Sequence, residues 1–238
     1  MTRFELHVDV TEPGIAVRCL SDGAPVSTSR IKVAMQKGAV WLTRGKKTQR
    51  LRRAKRDVRE GDTLHLYYDE PVLARSPAPC ELVTDEGAFS VWNKPYGVLS
   101  QGSKWGDHCT ITRWAEQHLT PTRNAFVVHR LDRAARGLMV LAHERRVAAS
   151  LSESFRERRV EKHYRAKVHG DPAFDALPLR LCDPIDGRVA VTEVLTVESL
   201  SGEWEGCSEV LVSIETGRKH QIRRHLADVG APIVGDRL

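Results

Sequence analysis

Within VVHRLDRAARGLMVLA, Val127 to Ala142, one carboxylate, Asp132, stands between Arg130 and Arg133 on a polar stretch flanked by apolar runs. A carboxylate so placed is either a structural ion pair at a turn or a reactive group held in position by the scaffold. The flanks bear on the choice. Val127 and Val128 read as the end of one strand and Leu138 to Leu141 as another, with Gly137 punctuating the connection. Polar residues thus gather where a sheet ends, on a loop that a rigid scaffold holds in place, and reactive groups concentrate on such loops.

Other chemistry is weaker in this sequence. His220 and His225 are five residues apart, a spacing that does not place both on one helix face, and no cysteine or carboxylate cluster accompanies them. No metal is expected. TRGKKT, ending at Thr48, lacks the first glycine of a phosphate-binding loop at the required spacing. The five cysteines are scattered singly, as reduced structural thiols would be.

The charge is distributed unevenly. The 238-residue chain carries a net charge of +6, and RGKKTQRLRRAKRDVR, Arg44 to Arg59, holds nine lysines and arginines against the single acid Asp57. Cations packed this densely repel one another unless a polyanion is the partner, so Arg50, Arg52, Arg53 and Arg56 are expected to contact nucleic acid. The sequence holds no apolar run long enough to cross a bilayer, and MTRFELHVDVTEPG lacks the apolar core of a signal peptide. A cytoplasmic protein without membrane contact is expected.

The elements that must position these groups follow. Up to Asp69 the chain reads as a small mixed module. It has a helix in SRIKVAMQKG with Gly38 as its C-terminal stop, a short strand AVWL, and a turn at Gly61 and Asp62 leading into the alternating Leu64, Leu66 and Tyr68. A linker spans 70–81, where three prolines discourage regular structure. From Leu82 longer strands alternate with helices: AFSVWNKPYG as a strand ending in a turn, HERRVAASLSESFRERRV as a helix with Val147, Leu151 and Phe155 on one face. KHYRAKVHG then alternates Tyr164, Ala166 and Val168, and EVLVSIETGRKHQIRRHLADVG reads strand, glycine turn, helix. The expected class is α+β, a mixed and mainly antiparallel sheet with packed helices.

The order and spacing of NKPYGVLSQ, HRLDRAARGLMVLA, FRERRVEKHYRAKVHG and TGRKHQIRRHLADVGAPIVGD resemble the RluA-type family of RNA pseudouridine synthases. The segment up to Asp69 resembles the S-four-like RNA-binding domain that many members carry in front, which gives an expected division into 1–69, the linker 70–81 and a catalytic domain 82–238. The resemblance implies an isomerase that detaches a uracil from its ribose, turns it and rejoins it through C5, without cofactor or metal. It places Asp132 as the catalytic aspartate, Arg223 as the arginine that pairs with it and Tyr164 as the active-site tyrosine. Arg130 matches a position that in some relatives enters the RNA stack vacated by the flipped base. His129, Lys94, Arg218, His220 and Gln221 lie in the same motifs and are expected on the RNA-binding surface. Structured RNA is the implied partner, ribosomal RNA favoured and transfer RNA possible, and a monomer is expected.

The chain departs from the family pattern in three places. Ala135 and Arg136 stand where Thr-Ser is usual, Lys219 stands where threonine or serine is common, and the sequence stops at GDRL where the family continues through a further strand. Two other readings therefore remain open: a catalytically silent RNA-binding or ribosome-assembly factor on the same fold, and a nucleoside or sugar hydrolase. The latter lacks a second carboxylate for general acid work.

Overall fold

Alternating apolar and polar residues in RFELHVD and DTLHLYYD allow each strand to bury one face and leave the other open. The computed structural model describes residues 2–172, 174 and 176–236. It has one unit ending at Ser152 and a second beginning at Glu153.

The first unit opens with β1 (Arg3–Asp9), β2 (Gly14–Ile15), α1 (Ala16–Ser21), α2 (Thr28–Gln36), β3 (Val40–Arg44), β4 (Lys47–Arg50), β5 (Asp57–Val58), β6 (Asp62–Asp69) and α3 (Glu70–Leu73). β1, β6, β3 and β4 form an antiparallel sheet in that order, and β2 pairs with β5. Leu64 and Leu66 of β6 and Val40 and Leu42 of β3 share one buried cluster with Leu20, Ile31, Ala34 and Met35 of the two helices. α2 ends as its sequence predicts: Gly38 takes φ +79° and its N–H donates to Met35 O at 3.0 Å. Two features differ from expectation. β1, not among the expected strands despite its alternating Phe4, Leu6 and Val8, is an edge strand of the sheet. The start of the proline-rich linker is helical, because Asp69 Oδ1 accepts from Val72 N at 3.0 Å and Pro71 sits in the first turn, where its missing N–H is harmless.

The unit continues through β7 (Glu81–Asp85), β8 (Phe89–Lys94), α4 (Ile111–His118), β9 (Phe126–Val127), β10 (Gly137–Ala142) and α5 (Arg145–Arg156). The second sheet runs β7, β8, β10, β9, all antiparallel. Trp92, Val98, Ile111, Ala115, Met139 and Leu141 form its own buried cluster.

The second unit contains β11 (His163–His169), β12 (Leu179–Leu181), β13 (Thr192–Ser199), β14 (Cys207–Ile214) and α6 (Gln221–Asp228). Its antiparallel sheet runs β11, β14, β13, β12. Val168, Val194, Val210 and Val212 pack with Leu226 of α6 in its core. The α+β class with mainly antiparallel sheets is therefore what the chain adopts. The expectation of a missing C-terminal strand ends on Arg237 and Leu238, which lie outside the described residues.

Candidate active site

β9 and β10 pair through Val127 with Leu141 and Phe126 with Ala142, so the nine-residue connection Val128–Arg136 projects from the end of a half-buried ribbon. Asp132 is half-buried on it, while Arg130, Arg133 and Arg136 are exposed. The connection is held at several points. Ser100, itself buried, donates from Oγ to Leu131 O at 2.6 Å and accepts from Leu131 N at 3.1 Å. Gly97 N donates to Arg133 O at 2.8 Å, and Ala135 N to Asp132 O at 3.1 Å. His129 Nε2 accepts from Val140 N at 2.9 Å, which places its ring proton on Nδ1.

Lys94 closes the base of this loop. Its side chain is fully buried, and Nζ donates to Ala135 O at 2.6 Å, Val98 O at 2.9 Å and Pro95 O at 3.2 Å. Burial pushes the ammonium below its ordinary value of 10.5, and the nearby Cys80 and Asp132 oppose that shift. The same burial pushes the Cys80 thiol up to about 11. Lys94 thus ties the turn Pro95–Gly97 to the Asp132 loop. It has no free face for a phosphate, which corrects its expected place on the RNA-binding surface.

Tyr164 lies on β11 opposite Val212 of β14, half-buried against the core of the second unit. The turn into α6 carries the rest of the second-unit set. His220 enters the helix in the left-handed conformation, φ 57°, a strained position for a non-glycine residue and one that recurs at functional sites. Arg218 is half-buried, with Nε donating to Val189 O at 2.8 Å. Arg223 makes a two-pronged ion pair with Asp236.

Gln221 also differs from expectation. It is buried, accepts from Thr216 Oγ1 at 2.7 Å and Arg218 N at 3.0 Å, and donates to Val191 O at 2.9 Å and Thr192 Oγ1 at 3.0 Å. Its four hydrogen bonds order the turn and leave nothing for RNA. His225, buried with its nitrogens on Thr192 Oγ1 and Asp183 O, is likewise structural.

The basic run divides in two. Arg44 pairs with Asp62 at 2.6 Å, and Arg50 and Arg52 pair with Asp107 at 3.1 and 2.5 Å. Lys46, Lys47, Arg53, Lys55, Arg56 and Arg59 are exposed. Arg53 and Arg56 therefore keep the expected accessibility, whereas Arg50 and Arg52 are engaged within the protein. Sequence reasoning missed Ser100, Asp107 and Asp236. Their partners are distant in the chain, and no spacing rule announces such pairs.

Residues 88–228 match the family described as RNA pseudouridylate synthase. The chain is 34% identical over 161 residues to the dual-specificity RNA pseudouridine synthase RluA of Escherichia coli K12, a span covering 62% of this chain and 71% of that protein. It is 32% identical over 184 residues to the tRNA pseudouridine synthase C of Vibrio parahaemolyticus, 68% of this chain and 74% of that one. Among solved structures, human RNA pseudouridylate synthase domain containing 1 superposes with a TM-score of 0.56 at 23% identity, over 68% of this chain and 71% of that one. At that identity the likeness is one of fold.

Proposed function

The chain belongs to the RNA pseudouridylate synthase family, and we propose that Asp132, Tyr164 and Arg223 are its catalytic set and ribosomal RNA its substrate. The enzyme isomerises uridine in RNA. The reaction breaks the bond between ribose and the base nitrogen N1 and forms one from the same ribose carbon to C5 of the base; the C5 proton then leaves and N1 takes up a proton, so the product is an isomer of the substrate. No electrons are gained or lost overall.

The observation that carries the catalytic assignment is the way Asp132 is held. Its loop hangs from a buried hydroxyl at Leu131 and a buried ammonium at Ala135, so the carboxylate has a fixed backbone on both sides. In this reading Asp132 attacks the nucleoside or stabilises positive charge developing on the sugar. Arg223 takes the part that the family resemblance assigns it, that of the arginine partnering the catalytic aspartate. Tyr164 stacks on the base and takes part in moving the C5 proton. Arg130, exposed on the same loop, fills the stack that the flipped nucleotide leaves.

Residues 1–69 are the RNA-binding module in this reading, joined through 70–81 to the catalytic domain 82–238. The module has a hydrophobic cluster of its own, and its exposed Lys46, Lys47, Arg53, Lys55, Arg56 and Arg59 form a local positive surface suited to phosphates. That appended surface favours ribosomal over transfer RNA by analogy with the family.

The test is a pseudouridine map of ribosomal and transfer RNA from cells lacking the gene, complemented with wild type or Asp132→Asn. Wild type is expected to restore one or a few ribosomal sites and Asp132→Asn none, with the purified variant binding RNA within about twofold of wild type. Restored sites confined to transfer RNA would overturn the substrate assignment. Equal rescue by Asp132→Asn would overturn the catalytic one and favour the RNA-binding factor.

A further inference from the structure

The geometry points to Asp107 as a positioning residue for the isomerisation: it clamps the N-terminal module, through Arg50 and Arg52, onto the segment that supports the Asp132 loop. RNA gripped by the module is thereby presented to the catalytic loop in one register. This rests on the function proposed above, in which the module binds RNA.

The clamp has an ionic centre. Asp107 is approached by Arg50 Nε at 3.1 Å and Arg52 Nη2 at 2.5 Å, with all three side chains less than one-third exposed. Burial pulls Arg50 below its ordinary value, and the Asp107 charge opposes that pull. Asp107 Oδ1 is buried without a hydrogen bond, so the carboxylate depends on the two guanidinium charges. Each arginine is also fixed by backbone: Arg50 Nη2 donates to Ser103 O at 2.7 Å and Arg52 Nη1 to Gln36 O at 3.0 Å.

Two glycines permit the close approach. A Cβ on Gly38 would overlap Asp107 Oδ1, and one on Gly102 would overlap Asp107 Cβ. The main chains also join, Asp107 N donating to Lys37 O at 3.1 Å.

Around this centre the loop 103–106 covers the open face of the first sheet. Trp105 packs edge-on to Tyr67, with centroids 5.9 Å apart, and Arg3 lies over the Trp105 ring at 4.4 Å. Lys104 Nζ pairs with Glu5 at 2.6 Å, while Lys104 O accepts from Trp41 Nε1 at 3.2 Å. A module that merely swung on a linker would need none of these contacts.

The same segment reaches the catalytic loop at its other end. Leu99 N donates to Cys109 O at 3.1 Å and Ile111 N to Leu99 O at 2.9 Å, closing the base of the loop, and the next residue, Ser100, holds Leu131 from both sides. One short segment therefore connects the module, through Asp107, to the residue preceding Asp132. Each link is a hydrogen bond or an ion pair between neighbours, the contiguous network that mechanical coupling requires.

The experiment uses the full chain with two substrates: a long structured RNA that spans module and catalytic site, and a short stem-loop containing the same uridine that does not reach the module. Asp107→Asn is expected to lower kcat on the long RNA at least tenfold. RNA affinity and its salt dependence should stay within twofold, and kcat/KM on the short stem-loop should not change. Arg52→Gln, made from the module side, should reproduce that split, and the double variant should cost no more than either single one.

An equal loss on both substrates would reduce Asp107 to support of the catalytic fold and overturn the proposal. No loss on the long RNA, with unfolding excluded by thermal melting, would overturn it too. Failure of the underlying reading looks different, because wild type would then convert neither RNA, or would bind the long RNA no more tightly than the short one.

Discussion

Lys94 is fully buried, and its three hydrogen bonds explain why its charge is tolerated there. Removing it leaves Ala135 O, Val98 O and Pro95 O without their donor, and an unpaired buried carbonyl such as Val98 O costs roughly 1–3 kcal/mol. Lys94→Met is therefore expected to lower the melting temperature and to slow single-turnover isomerisation at least tenfold on long and short RNA alike, since it loosens the Asp132 loop itself. The pH dependence has a definite sign. Because burial depresses the folded-state pKa below 10.5, the unfolded chain binds the proton more tightly, and stability rises with pH through the window below 10.5. Melting curves of wild type and Lys94→Met across that window should show the rise in the former and its loss in the latter. The motif around Lys94 was legible in the sequence, but its target was not. The same holds for Gln221 and His225, polar residues of an RNA-enzyme motif that turn inward because a tight strand-to-helix connection leaves backbone and hydroxyl groups needing partners.

Local pattern made some elements visible and left others hidden. α2 was legible because an apolar stripe ended at a glycine, and β6 because Leu64, Leu66 and Tyr68 alternate after a turn. β1 has the same alternation in Phe4, Leu6 and Val8, yet its partner is β6, far along the chain, and no local rule identifies such a pairing. The β3–β6 pairing has an ionic fastening of its own. Arg44 lies opposite Asp62 in the register and donates to it at 2.8 and 2.6 Å, and Arg59 N adds a bond at 3.0 Å. These donors hold the Asp62 carboxyl at about 2, below its ordinary 3.8. The stability this supplies is complete above 3.8 and disappears as pH falls through about 2. Thermal unfolding between pH 2 and pH 6, approximate limits bracketing that titration, should show a steep acid-side loss for wild type. Asp62→Asn should melt lower at the neutral end and give a flatter profile.

Over the whole molecule, positive charge does two different jobs within one run of sequence. Arg53 and Arg56 face solvent, whereas Arg50 and Arg52 are turned into the protein, a division that composition alone could not reveal because Asp107 is remote in sequence. RNA affinity measured against salt separates the two roles. Arg53→Gln with Arg56→Gln should weaken binding and reduce the slope of log affinity against log salt by about 0.7–0.9 for each phosphate no longer neutralised, while Arg52→Gln leaves the slope unchanged. No helix among the described residues is long and apolar enough to cross a membrane. The ionic clamp at Asp107 has a consequence for inheritance. An appended module tied only by a flexible tether can be cut out and grafted before another enzyme with little penalty. Here Arg50 and Arg52 are set against a carboxylate remote in the sequence, so moving residues 1–69 onto a chain without that carboxylate would strand two enclosed cations. A substitution at Asp107 is therefore expected to be tolerated only together with changes at Arg50 and Arg52.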